Sequence, residues 1–210
     1  MSDDLEMEYY NTDSCPEKVY GDLCQEVMKC KKCDLGCEEL LDGQNPHVMG
    51  EGDPESGIMF VAEAPGLQET IYHRPLTPPG TSGNIYEKVL AYLELSRDKV
   101  YATNIVLCRP PKNRDPEPWE VHRCKPYFIR QVGLVDPKII VAFGRFAAQA
   151  LLGPIKITRD HGKLARSDKF GVDVFPLYHP AYIGAYATKE KRAEFKEDIK
   201  VLKEILKGMT

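Results

Sequence analysis

Four short apolar runs, each closed by turn-forming residues, set the first reading of this chain. They are 57–62 (GIMFVA), 100–106, 138–143 and 172–178. They run as continuous apolar stretches, which is the pattern of strands buried on both faces. The segments between them read as helices. Residues 84–95 carry Ile85, Val89, Tyr92 and Leu93 at helical spacing, and 119–132 carry Val121, Cys124, Phe128 and Val132 on one face, with a kink expected at Pro126. Residues 145–152 make a short helix stopped by Gly153-Pro154, and 189–207 set Phe195, Ile199, Leu202 and Leu206 in one stripe. Near the start, Ser14 as N-cap, Pro16 in the first turn and Glu17 three residues on predict a helix running to about Lys29. Residues 1–15 read as a loose tail. The stretches 51–57, 73–83 and 109–118 are rich in proline, glycine or charge and read as loops. Strands alternating with helices predict an α/β fold: a single domain over 16–210 with a central, mostly parallel four-stranded sheet flanked by helices. Ligands in such sheets bind beyond the C-terminal strand ends. Glu63, Asn104 and His179 all fall at or just past those ends.

Composition narrows the class. The chain has 210 residues, 42% hydrophobic and 29% charged, with a formal net charge of −4. That is a globular composition. No apolar run approaches the roughly 20 residues of a membrane span. The acidic start MSDDLEMEYY lacks the order of a secretory signal, so a cytoplasmic location is expected. The overall charge does not advertise nucleic-acid binding, so a surface for it must be local; Lys and Arg cluster at 109–114, 156–169 and 189–192.

There are seven cysteines. An odd count in a reducing compartment argues against a disulfide framework. Cys30-Lys-Lys-Cys33 has the spacing that lets two thiolates reach one metal centre from a tight turn. Cys108 and Cys124 form a wider pair, and the two pairs together make a four-thiolate site if the fold unites them. The alternative is a set of small buried thiols. Cys15, Cys24 and Cys37 are read that way, with Cys37 a substitute ligand by proximity. The polar candidates also have plain readings: Glu63 as a solvated acid, Asn104 as a strand-end hydrogen bonder, His179 as a packed ring and 109–115 as a charged loop. Together they offer an amide for reading a base edge, an imidazole for a developing anion and cations for phosphates.

Five blocks in order carry a more specific resemblance. They are Cys30-Lys-Lys-Cys33-Asp-Leu35; Ala62-Glu63-Ala64-Pro65-Gly66 followed by Glu69; Tyr101-Ala-Thr-Asn104-Ile-Val-Leu-Cys108-Arg-Pro-Pro-Lys-Asn-Arg114; Cys124; and His179-Pro-Ala-Tyr182. Over about residues 28–205 the chain resembles the iron–sulfur (type-four) uracil-DNA glycosylases of the uracil-DNA glycosylase superfamily. The resemblance implies a structural [4Fe–4S] cluster on Cys30, Cys33, Cys108 and Cys124, with zinc the alternative that four thiolates also suit. It implies hydrolysis of the N-glycosidic bond of deoxyuridine in DNA, with the uracil taken out of the stack. Asn104 would read the uracil edge, and the loop holding Ala62 and Glu63 would line the pocket. Glu69 would order water or exclude the thymine methyl. His179 would donate to uracil O2, a contact typically worth roughly 3–4 kcal/mol. Ser82, Gly83 and Asn84 would hold a phosphate at a helix start, and Tyr182 would sit in the turn facing DNA. The chain departs from the family at two places. Leu76 stands where the family has a stacking Phe, within a loop two residues longer, which leaves Tyr72 or His73 to supply a ring. Ile183-Gly184-Ala185 replaces Leu-Leu-Arg. The expected partner is uracil-containing DNA, acted on by a monomer with no membrane contact. Two other readings stand beside this one: a glycosylase of the same fold for another deaminated or damaged base, and a non-catalytic iron–sulfur DNA-binding module.

Overall fold

The four apolar runs become the centre of one sheet. In the computed structural model of the protein the described residues are 17–36 and 46–209. The proposed cap at Ser14, the tail 1–15, Cys15 and Cys37 lie outside them. The strands are β1 (Glu51–Gly52), β2 (Ile58–Ala62), β3 (Tyr101–Asn104), β4 (Ile139–Phe143), β5 (Ala165–Ser167) and β6 (Val172–Leu177), in the order β1-β3-β2-β4-β6-β5. The inner four are parallel, with Ala62 opposite Asn104 and Val61 opposite Ala142. The expected four-stranded sheet is thus corrected to six strands. β1 and β5 add short antiparallel edges, pairing Glu51 with Ala102 and Arg166 with Asp173. Strands of two or three residues have no apolar run to announce them, and their polar residues suit a sheet edge.

The helices are α1 (Glu17–Met28), α2 (Leu67–Ile71), α3 (Thr81–Leu93), α4 (Pro118–Val135), α5 (Gly144–Leu152), α6 (Ile157–Asp160), α7 (Pro180–Ala185) and α8 (Lys189–Lys207). Alternate strand residues feed two cores. Met59, Val61, Ile140 and Ala142 pack with Leu23 and Val27 of α1, Phe128 and Val132 of α4, and Ala147 and Leu151 of α5. Phe60, Val141, Phe143, Phe175 and Leu177 pack with Tyr86 and Leu90 of α3, Ile183 of α7, and Phe195, Ile199 and Leu202 of α8. The ring of Phe60 lies 5.2 Å from that of Tyr86 and 5.7 Å from that of Phe143. Truncating so central a ring costs about 3–5 kcal/mol.

Helix α4 starts at Pro118 behind the cap of Glu117, whose N–H donates to Glu120 Oε2 at 2.6 Å. It runs through Pro126 as one element, where the missing N–H leaves the His122 carbonyl without its i+4 donor. The turn expected after His179 is helical, as α7, α2 falls on a stretch that the apolar pattern leaves unassigned, and α3 begins three residues earlier than its apolar spacing suggested. Cys24, read as a plain buried thiol, is buried but disulfide-bonded. Among the described residues no helix is long and apolar enough to cross a membrane.

Candidate active site and candidate cluster site

β2 and β6 both lead into a cleft of about 510 Å³. Its walls are the 63–69 loop after β2, the approach to α3 with its first turn, residues 110–115, and α7 with its flanking residues. Of the expected site residues, Glu63, Glu69, Ser82, Gly83 and His179 line it.

Glu63 follows the last residue of β2. Its carbonyl accepts the Val106 N–H at 3.0 Å, and the Ala62 carbonyl accepts the Ile105 N–H at 3.0 Å, so the loop is fixed to the neighbouring strand. The Glu63 carboxylate has no hydrogen-bond partner among the described residues. Burial pushes it up to about 7, helped by the nearby charge of Asp115 and opposed by Arg145. Asp115 and Arg145 themselves form an ion pair at the mouth of the cleft.

His179 is the N-cap of α7. Its Nδ1 accepts the Ala181 N–H at 3.2 Å. A neutral imidazole that accepts at Nδ1 carries its proton on Nε2. Burial pulls the ring down to about 4, against the pull of Asp115, so it is neutral at physiological pH and offers one donor, Nε2–H. Gly144 passes beneath the ring at φ +84°, and a Cβ there would lie 3.0 Å from the His179 Cβ. The close approach and the left-handed backbone both require glycine.

Asn104 ends β3 with 1% exposure, and neither its Oδ1 nor its Nδ2 has a hydrogen-bond partner among the described residues. A buried unsatisfied amide is costly, and native folds rarely keep one without a use. Gln131 shares part of that state: its Oε1 accepts from Tyr101 and Thr103 at 3.0 and 2.8 Å, and its Nε2 has no partner among the described residues.

Glu69 is only 8% exposed, and both its oxygens are engaged: Oε2 accepts the Gly66 N–H and Oε1 the Leu76 N–H, each at 2.6 Å. Burial raises its pKa, and those two N–H groups work against the rise. Leu76 does not reach the cleft. Its backbone is left-handed at φ 51°, its side chain is 1% exposed in the core with Phe60 and Tyr86, and its carbonyl accepts from Arg97. His73 is turned the other way, with Nδ1 3.3 Å from the His47 carbonyl.

Ser82 and Gly83 open α3. A Cβ on Gly83 would lie 2.1 Å from the Thr77 carbonyl carbon, so this residue is glycine to seat the helix on the loop. Asn84 donates from Nδ2 to the Pro79 carbonyl at 3.0 Å. Tyr182 is exposed, its ring 5.7 Å from that of Tyr178. Arg114 is held by Glu120 through two hydrogen bonds of 2.9 and 2.6 Å. Sequence reading missed Arg145, Gly144, Gln68 and Tyr186. Only Gly144, a glycine ending an apolar strand, left a signal there.

On the other side of the sheet, Cys30, Cys33, Cys108 and Cys124 line one small cavity with His47 and Tyr127. Separate segments bring them together. The α1 exit supplies the first pair, and His47 ties it to Cys108: Nε2 lies 3.0 Å from the Cys30 carbonyl, and residue 47 bridges residue 108. Cys124 comes from α4, and its Sγ accepts the Leu107 N–H at 3.3 Å. Burial pushes the Cys124 thiol up to about 12 and raises Cys33. A Cβ on Gly36 would lie 2.5 Å from the Cys30 carbonyl oxygen, so the turn holding the first pair needs its glycine. Among the described residues, no three histidine, cysteine or carboxylate side chains converge as a single metal ion requires. Four thiols lining one cavity are a donor set that a metal centre could use.

Residues 49–203 match the family model of the Uracil DNA glycosylase superfamily. The chain is 37% identical over 191 residues to a type-4 uracil-DNA glycosylase of Archaeoglobus fulgidus, covering 88% of this chain and 92% of that one. It is 38% identical over 189 residues to the type-4 enzyme of Sulfurisphaera tokodaii, covering 86% and 82%. It is 36% identical over 192 residues to that of Saccharolobus solfataricus, covering 88% and 85%. With a model match over most of its length and relatives of this identity aligned nearly end to end, the chain belongs to the uracil-DNA glycosylase superfamily.

Proposed function

We propose that the protein hydrolyses the N-glycosidic bond of deoxyuridine in DNA and releases uracil, as the names of its type-4 relatives describe for them. One observation carries the reading. A carboxylate without a partner, Glu63, and an imidazole with its tautomer fixed, His179, line the same cleft. The extruded uracil enters that cleft. The Asn104 amide, which lacks partners among the described residues, complements the imide edge of uracil, acceptor to N3–H and donor to O4. The C1′–N1 bond breaks, its electron pair leaves on the uracil, and the His179 Nε2–H donates to O2 as that charge grows. The ionised Glu63 faces the positive sugar and takes the proton of the water whose oxygen bonds to C1′. Glu69 acts as a positioning residue, fixing Gly66 and Leu76 on either side of the cleft loop. The first turn of α3, with the N–H groups of Ser82 and Gly83 and the nearby Asn84, receives a backbone phosphate. Tyr182 lies on the DNA side of α7, and the enzyme acts as a monomer.

Cys30, Cys33, Cys108 and Cys124 are the ligands of a [4Fe–4S] cluster in this reading. Their place around one cavity supports it. The cluster supplies a cross-link between the α1 exit, the segment after β3 and α4, and no chemistry at the glycosidic bond. Visible absorbance with matching iron and sulfide in protein prepared without oxygen is the expected result, lost in Cys124→Ser. A colourless protein holding zinc overturns the assignment.

The deciding experiment follows release of free uracil from single-stranded and duplex oligonucleotides with one deoxyuridine. Release from both is expected, with none from thymine controls. Asn104→Ala should bind the DNA and lose release by at least tenfold. Wild-type protein that releases hypoxanthine or another deaminated base and no uracil moves the function to that lesion.

A further inference from the structure

Sheet pairing does not fix His179. The ladder between β4 and β6 ends with Leu177 opposite Phe143, so Tyr178 and His179 lie beyond it. A donor aimed at a developing charge works only if it is held to within about 0.5 Å of the productive position. On the α7 side the His179 ring is tied by the Ala181 N–H. On the strand side the anchor is the residue before it. We infer that Tyr178 is the positioning residue of His179, held by Glu194 and His161 so that the Nε2–H points at the leaving base; the inference rests on the glycosylase reading above.

Tyr178 is buried and held at both ends. Its hydroxyl donates to Glu194 Oε2 of α8 at 3.1 Å. Its ring meets two others, 4.3 Å from that of His161 and 5.7 Å from that of Tyr182. The partners are fixed in turn. Lys191 donates to both Glu194 oxygens at 3.0 and 2.8 Å. His161 Nδ1 donates to Asp198 Oδ2 at 2.7 Å, and its Nε2 lies 3.4 Å from Glu194 Oε2. Gly162 lets this corner close on α8: its φ is +69°, and a Cβ there would lie 2.1 Å from Asp198 Oδ1. The Gly162 N–H also donates to the Pro176 carbonyl at 2.8 Å. Residues 161–162 thus grip the end of β6 twice, by backbone at Pro176 and by ring at Tyr178.

Packing alone does not require this arrangement. Apolar side chains would fill the same space without the cost of desolvating charges. What the hydrogen bonds add is direction, because they weaken steeply when a group rotates. Tyr178, Glu194 and His161 do not line the cleft, whereas His179, bonded to Tyr178 through the chain, does. Their effect on release therefore passes through His179.

The test is a double-mutant cycle in the full-length protein, read as single-turnover uracil release from a deoxyuridine oligonucleotide. Tyr178→Leu should slow release about tenfold while DNA affinity stays within about twofold of wild type. In a His179→Ala background the same change should cost less than about twofold, since its effect has lost its carrier. Tyr178→Phe keeps the ring and should restore release to within about threefold of wild type. Glu194→Ala, at a partly exposed site, should repeat the coupling at about threefold, so the cycle survives a Tyr178→Leu protein that does not fold. Losses that multiply independently in the double variants would make Tyr178 a structural residue only and overturn the inference. So would single variants as fast as wild type.

NMR of labelled histidine rings gives a readout apart from activity. The chain has five histidines, and the His179 signals are those missing in His179→Ala. Wild type should show one His179 tautomer, protonated at Nε2. Tyr178→Leu should shift or broaden those signals, and unchanged signals would overturn the inference. Wild-type protein that binds the DNA and releases no uracil fails the glycosylase reading instead, and the ring signals then test Tyr178 by themselves.

Discussion

Two carboxylates six residues apart, the half-buried Glu63 and the buried Glu69, have opposite fates. Glu69 gives one oxygen to each of two backbone N–H groups, both at 2.6 Å, and so joins the start of α2 to Leu76. Around it the loop is tied again, because Arg97 donates to the carbonyls of Pro75 and Leu76 and pairs with Glu51 and Glu87. Glu63 is only partly buried and has no hydrogen bond from a described residue. Its surroundings raise it to about 7 and leave it poised. One carboxylate's hydrogen-bonding capacity is spent on the fold, and the other's is open to a ligand in the function proposed above. The difference teaches how to separate a structural acid from a catalytic one when burial alone does not: by counting what its oxygens accept.

Breaking the pair should give different losses. Glu63→Gln is expected to cost 10²–10⁴ in kcat, the usual contribution of a positioned base, measured as single-turnover uracil release. Its effect on stability runs the other way. A carboxylate raised from 4.5 to about 7 in the fold contributes stability that is fully present below pH 4.5 and lost as the pH rises through 7. At pH 8 the glutamine variant should therefore unfold at equal or higher denaturant concentration than wild type. A clear drop there would mean that Glu63 is a structural acid after all.

Glu69→Ala should be the reverse. It strands two N–H groups inside the loop, and at about 1–3 kcal/mol each this predicts a loss of roughly 2–6 kcal/mol in chemical unfolding. Activity should fall through displacement of the loop. Glu69→Gln keeps one acceptor and turns an N–H₂ toward the other N–H, so it should recover about half of the stability. A Glu69→Ala protein as stable as wild type would dissolve the contrast.

Much of this was legible in the sequence because it follows from periodicity. The four inner strands are apolar runs, and parallel strands buried on both faces have no other way to appear. Glu63, Asn104 and His179 stood out because an α/β sheet puts its ligands beyond strand ends, and the fold sets Glu63 and His179 on one cleft. The edges were not legible: Glu51-Gly52 and Ala165–Ser167 become strands only because a neighbour offers its backbone. Leu76 occupies a pocket position in the motif, yet a left-handed turn at 51° sends its side chain into the core, and no spacing rule encodes that sign of φ for a leucine. Glu69 was seen as a candidate for water chemistry; its two acceptor contacts exist only once the loop has folded back. Tyr186 left no trace because an exposed aromatic has no periodic partner.

The smallest expected effect is also the sharpest probe of Glu63. Asp115 stands across the cleft mouth and raises the Glu63 pKa, while Arg145, its ion-pair partner, lowers it. Both are about half exposed or more, so solvent screens them and neither should change stability by more than about 0.5 kcal/mol. Their influence on catalysis has a definite sign. If Glu63 must be ionised to take the proton of water, release should rise with pH through an ascending limb near 7. Asp115→Asn removes a repelling charge and frees Arg145, so the limb should move to lower pH. Arg145→Ala removes the attraction, so the limb should move to higher pH. Each shift should be a fraction of a unit, shrinking in added salt as interactions between exposed charges do. At pH 9, well above the limb, the three proteins should release uracil at rates within about twofold of one another. Limbs that move together, or not at all, would mean that another group sets the pH profile and that Glu63 is not the base.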